Sequence, residues 1–180
     1  NASSTLANSA GSILCWRRYS APVLPVTLAI LAASGLRDRL VHFDYNCILP
    51  LTDPAWEKTH ADSVLGAAER YGISKSVFFD DRKNLDGAVA SIAKAINDSS
   101  ADNPLYFIIA GPMEVPYRGI QMSDPTKRQF VYCISHSRWN DGFASTYKFT
   151  FTKRSVIEQG VLIGRHHQER HQILEHRPRP

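Results

Sequence analysis

Three features of the sequence predict an α/β domain with a mostly parallel sheet of about four to five strands and helices on both faces. Short apolar runs alternate with amphipathic helical segments at the spacing of βαβ units. Two of the runs, residues 105–110 (LYFIIA) and 130–134 (FVYCI), are continuously apolar, as in strands covered on both faces. Each run also ends in glycine, proline or polar residues, which is how strands of such sheets give way to loops.

The elements follow in order. Residues 1–22 are rich in Asn, Ala and Ser without a sustained period and read as a flexible arm. Residues 26–34 form an apolar helix stopped by Gly35. Residues 40–43 are a short buried strand leading into Asp44, Tyr45 and Asn46. Thr52 and Asp53 before Pro54 open a helix, which carries Ala61, Val64, Leu65 and Ala68 on one face and ends at Gly72. A strand at 77–79 runs into Asp80 and Asp81. A helix over 85–97 then places Val89, Ile92, Ala93 and Ile96 together. The strand at 105–110 breaks at Gly111 and Pro112, a short helix spans 116–122, and the strand at 130–134 leads into Ser135–Asp141. A last helix lies near 152–159, and beyond Gly160 the apolar period is lost. The organisation is an arm (1–22), one α/β domain (23–160) and a basic, His-rich tail (161–180). Crossovers in such a sheet are right-handed.

Composition bounds the function. The 180 residues suit one domain, and at 43% apolar and 21% charged the chain is neither disordered nor a disulfide scaffold. The net charge of +4 is concentrated in the tail, where Arg165, Arg170, Arg177 and Arg179 face only Glu169 and Glu175. No basic stripe interleaved with aromatics accompanies it, which argues against a nucleic-acid partner. Cys15, Cys47 and Cys133 are too far apart for a CxxC metal site, and Cys133 reads as a buried thiol. No membrane span is expected, since no unbroken stretch of about 18 apolar residues occurs. Arg17 and Arg18 before the apolar run 21–35 fit either a signal segment or the first helix, and the helix is the preferred reading. Localisation, secreted or cytoplasmic, turns on that choice. In the tail, His167 and His171 share a helix face, but without a clear third ligand a solvated basic tail is the better reading than zinc, and no metal site is assigned.

Polar residues gather at the strand ends, and in a parallel sheet those ends converge on one edge, where ligands bind. Asp44 and Asn46 suit a ribose hydroxyl or a hard cation, and Asn46 equally suits a turn cap. Asp80 and Asp81 read as a solvated turn in preference to a paired-carboxylate site, and His42, inside a strand, as a packed residue. Glu114 follows the third strand. His136, Trp139, Asn140 and Asp141 follow the fourth and combine a stacking platform, a titratable group and directional hydrogen bonds, a set suited to a sugar or base. His136 and Asp141 are the candidate catalytic residues. Asp44, Asn46, Glu114, Trp139 and Asn140 are the candidate substrate-binding ones. His136 fits a general acid or base as well as it fits a structural histidine. Walker A, GxGxxG and GxSxG motifs do not occur.

The run over residues 103–141, NPLYFIIAGPMEVPYRGIQMSDPTKRQFVYCISHSRWND, together with LVHFDYN and ADSVLGAAERYGISKSVFF upstream, resembles the nucleoside hydrolase-like family over residues 23–160. The likeness is to a divergent group related to inosine-uridine preferring nucleoside hydrolases and to proteins of polysaccharide-degrading bacteria. It implies hydrolysis of N-ribosidic or related glycosidic bonds, a small nucleoside or sugar ligand, and calcium held by an N-terminal DxDxxxDD-type loop that precedes the first helix. That aspartate cluster is absent: CWRRYSAPVLP precedes the first helix. Asn46 matches the family's asparagine after the second strand. Glu114 stands at the position of a threonine that offers a backbone ligand, and Ser135-His136-Ser137 replaces a glycine pair. The resemblance therefore implies an incomplete core, lacking its first strand, with an exposed sheet edge through which copies of the chain could associate. Three functions are compatible with this: a glycosidic hydrolase, a non-catalytic sugar- or polysaccharide-binding module using Trp139, His136 and Asn140, and an inactive truncated product.

Overall fold

The computed structural model describes residues 5–9, 23–46, 53–110, 112–135 and 151–165. Strand β1 (Thr5–Ser9) is followed by helix α1 (Val23–Ala33), strand β2 (Leu40–Tyr45), helix α2 (Pro54–Arg70), strand β3 (Phe78–Asp80) and helix α3 (Leu85–Asn97). Then come strand β4 (Leu105–Ile109), helix α4 (Glu114–Met122), strand β5 (Val131–Ser135), helix α5 (Lys153–Ile157) and strand β6 (Leu162–Arg165). The strands form one sheet in the order β3-β2-β1-β4-β5-β6, and every neighbouring pair is parallel. The α/β class read from the sequence is therefore the architecture observed.

Two expectations are corrected. The segment read as a flexible arm supplies β1, which pairs with β2 on one side and β4 on the other and is one of the two middle strands. The segment read as tail supplies β6, paired with β5 along Leu162–Arg165. Among the described residues the sheet thus has six strands, with β1 filling the gap through which association was expected. Neither strand has the long apolar signature of β4. Both are specified by the strands they pair with.

Local signals set the helix boundaries. Asp53 Oδ1 accepts from the Ala55 amide at 2.8 Å and Pro54 occupies the first turn of α2, while Asn84 Oδ1 accepts from the Gly87 amide at 3.1 Å to start α3. Gly35 and Gly72 take the left-handed conformation just past α1 and α2 (φ 69° and 64°), where a side chain would be strained.

Two apolar clusters sandwich the sheet. One joins Leu24 and Leu28 of α1 and Val64, Ala67 and Ala68 of α2 to Leu40, Phe43 and Tyr45 of β2. The other joins Ile92 and Ile96 of α3 and Ile120 of α4 to Leu105, Phe107 and Ile109 of β4 and to Val131 and Cys133 of β5, with Val156 of α5. Helices therefore lie on both faces. On the face opposite α4, Tyr132, Ile134 and Leu162 remain exposed, and Tyr132 stacks on Tyr106 at 5.4 Å. A register shift between Leu6 and Ala7 pairs Leu40 with Leu6 and His42 with Ala7. The extra residue, Val41, packs on the α3-side cluster like its neighbour His42, which reaches Ser91 of α3. Among the described residues no helix is long and apolar enough to cross a membrane.

Candidate functional site

Connections from β1 run to one side of the sheet and the connection from β3 crosses to β4, so the strand order reverses between β1 and β4. Ligands of open α/β sheets bind beyond the carboxyl ends of the strands at such a point. The polar residues at this edge are buried. Asp44 is fully enclosed, and Asn46, Asp80, Asp81 and Glu114 are all below one-tenth exposed.

At the ends of β2 and β3 they form two sets, one on each face. On the α3 side, His42 Nε2 lies 3.1 Å from Asp44 Oδ2, and Nδ1 lies 3.0 Å from the Ser91 hydroxyl. Nε2–H donating to the carboxylate and Ser91 O–H donating to Nδ1 satisfy both nitrogens. Phe79 stacks on the same imidazole at 5.2 Å. The expectation that His42 is packed holds, and the structure adds that it fixes Asp44. On the α2 side, Asn46 adopts the left-handed conformation (φ 61°), which aims its amide across the strand ends. Its Nδ2 donates to Asp80 Oδ1 at 3.1 Å and its Oδ1 faces His60 Nδ1 at 3.3 Å. Asp80 also accepts from the Arg82 amide at 3.1 Å and has Lys83 Nζ 3.2 Å from Oδ2. Asn46 thus turns its amide to two protein partners, Asp80 and His60.

Asp81 stands between these sets. Its amide donates to Tyr45 O at 3.1 Å, and its side chain is 3% exposed. Burial, reinforced by the charges of Asp44 and Asp80, pushes its carboxyl up to about 10. Asp81 therefore keeps its proton at neutral pH. The reading of Asp80 and Asp81 as a solvated turn is corrected: packing of β3 against β2 and α3 takes both out of water. Burial, together with the charge on Asp80, raises the Tyr45 phenol as well.

Glu114 opens α4, where the partial positive charge of the helix start favours a carboxylate. It follows β4, two strand spacings (about 10 Å) from β2 across β1. Ser135 ends β5 beside Ile109. Asp44 and Asn46 therefore come together with Asp80 and Asp81, and Glu114 stands on the other side of β1. His136, Trp139, Asn140 and Asp141 lie outside the described residues.

Two residues were missed. His60 is 4% exposed and touches Asn46, and Trp56, one turn earlier, tilts toward it with ring centroids 6.4 Å apart. The signal was present for His60, which precedes Val64 by four and Ala67 by seven residues and so belongs to the buried stripe of α2.

The calcium implied by the family resemblance does not fit the residues seen here. Among the described residues no three His, Cys, Asp or Glu side chains form a group that could hold a metal ion. The hard oxygen donors are present, but Asp44 and Asp80 are engaged by His42, Asn46, the Arg82 amide and Lys83.

No family model matches the chain, and no solved structure matches it. It is similar to a curated relative, Uncharacterized protein P22 of Formosa agariphila, with 33% identity over 144 residues. The match takes in 76% of this chain and 52% of the relative, so the chain spans about half the length of the protein it matches.

Proposed function

We propose that the carboxyl edge of the sheet binds a glycosyl group and that the protein is a nucleoside hydrolase-like hydrolase of N-ribosidic or related glycosidic bonds. One observation carries this reading. Asp81 Oδ1, Glu114 Oε2, Ser135 Oγ and His60 Nε2 are buried at or beside the strand ends with no hydrogen-bond partner among the described residues. Each such atom costs about 1–3 kcal/mol when left unmet. A ligand that meets these atoms recovers that cost, and a ring bearing several hydroxyls supplies donors and acceptors together.

The chemistry follows from Asp81. A carboxyl that holds its proton at neutral pH donates a hydrogen bond, as a carboxylate cannot. As the glycosidic bond breaks, its electron pair leaves with the base or aglycone, and the anomeric carbon gains oxocarbenium character. Positive charge developing beside Asp44, Asp80 and Asp81 lowers Asp81's hold on its proton in the transition state, so the proton passes to the leaving group. Asp44, held by His42, supplies the opposing negative charge. Water then adds to the anomeric carbon and its proton goes to a base.

The test is release of reducing sugar from inosine, uridine and p-nitrophenyl β-D-ribofuranoside, alongside calorimetric titration with D-ribose. Turnover that falls at least about 100-fold in Asp81→Asn supports the proposal. Ribose binding without turnover assigns the edge to a sugar-binding module, and neither binding nor turnover refutes both.

A further inference from the structure

The hydrolase reading leaves open which group takes the proton of the attacking water, and the α2 side of the edge holds an unassigned candidate. We propose that His60 is that proton acceptor, presented through a bare Nε2 by a relay from Asp80 through Asn46. The inference rests on the proposed hydrolysis and assigns a residue to it.

The relay can be read atom by atom. Asp80 Oδ1 accepts from Asn46 Nδ2 at 3.1 Å, which fixes the orientation of the amide, because its oxygen facing a carboxylate would be repelled. Asn46 Oδ1 is then turned to His60 Nδ1 at 3.3 Å and only accepts, so Nδ1 carries the hydrogen. In a neutral imidazole that leaves Nε2 with a lone pair. Nε2 is buried and has no partner among the described residues. The left-handed backbone of Asn46 and the buried Asp80 are both committed to this geometry.

Burial, and not the charged groups around it, keeps the ring neutral. Glu57, one turn earlier on the same helix, would raise its proton affinity, but Arg82 pairs with Glu57 at 2.9 Å. Asp80 acts through Asn46 and is itself opposed by Lys83. Burial dominates and lowers the imidazole below its ordinary value. Trp56, which borders His60 and is 37% exposed, carries an aromatic face from the surface to the ring, and such a face suits the apolar side of a sugar. A histidine held neutral with one nitrogen bare is the form a general base needs. A packed structural histidine would have its second nitrogen satisfied, as His42 has.

His60→Gln is the informative variant, because a glutamine amide can still donate to Asn46 Oδ1 and so preserve the network. Two measurements on the full chain test the proposal. Long-range 1H–15N spectra of histidine-labelled protein, assigned by comparison with His60→Gln, should show Nδ1 protonated and Nε2 bare at pH 7. Asn46→Ala should abolish that single-tautomer preference. Turnover of the ribosides above should fall by about 100-fold or more in kcat for His60→Gln, with KM little changed, and the acidic limb of its pH profile should disappear. A proton on Nε2 at pH 7 overturns the assignment whatever the chain hydrolyses. So does turnover indifferent to His60→Gln, which leaves the hydrolase reading intact. Absence of any turnover with the tautomer in place overturns the hydrolase reading and, with it, the role of His60 in it.

Discussion

Replacing Asp81 by Asn should stabilise the protein, and by an amount that depends on pH. The native carboxyl holds its proton up to about 10, whereas in the unfolded chain it lets go near 3.8. Between those values the native state binds more protons than the unfolded state, so stability falls as pH rises. The slope approaches about 1.4 kcal/mol per pH unit. At pH 7 the native protein forfeits roughly 4 kcal/mol on this account, and at pH 4 almost nothing. Asparagine keeps the shape and stays neutral, so Asp81→Asn removes the penalty. Its advantage over the parent should grow from near zero at pH 4 to a few kcal/mol at pH 7 and more at pH 8. Urea unfolding of both proteins at each pH, followed by far-ultraviolet circular dichroism, measures the difference. A difference that does not change with pH would refute the reasoning, since it would mean that Asp81 ionises in the native state much as it does in the unfolded one. The cost of keeping this carboxyl is also what makes a functional role credible, because stability is commonly given up at sites that need an unusual protonation state.

Two further predictions concern the frame. Gly119 lets α4 lie close on α3: a Cβ there would sit 2.4 Å from Ile92 Cγ2. Gly119→Ala should cost about 1–3 kcal/mol, and thermal unfolding of Gly119→Ala with Ile92→Ala should show the pair less destabilised than the sum of the single changes. Arg128 is 9% exposed and binds the Ser123 hydroxyl, the carbonyls of Gln121 and Ser123, and both the carbonyl and side chain of Gln159. Arg128→Ala should cost about 3 kcal/mol by stranding those acceptors, and Arg128→Lys should not restore it in urea denaturation, because one ammonium cannot span the same fork of partners.

What the residues make legible is decided locally. The apolar run of β4, the Asp53-Pro54 start of α2 and the glycines at 35 and 72 each act on their immediate neighbours, and each is where the sequence places it. The alternation of these elements suffices for an α/β sheet with a polar carboxyl edge, and Asp44, Asn46 and Glu114 could be placed on that edge from the sequence alone. Strands β1 and β6 could not be found in this way. Five and four residues of mixed polarity carry no period of their own, and they become strands because β2, β4 and β5 offer them unpaired backbone. The chemistry of the edge is of the same kind. Whether Asp80-Asp81 is a wet turn or a dry acid pair depends on what packs above it, and whether Asn46 serves a ligand or a histidine depends on where α2 lies. The sequence by itself determined the fold class and the edge. Only the tertiary structure decided which groups on that edge are desolvated, because desolvation is set by neighbours distant in the chain, and with it the proton on Asp81 and the bare nitrogen of His60.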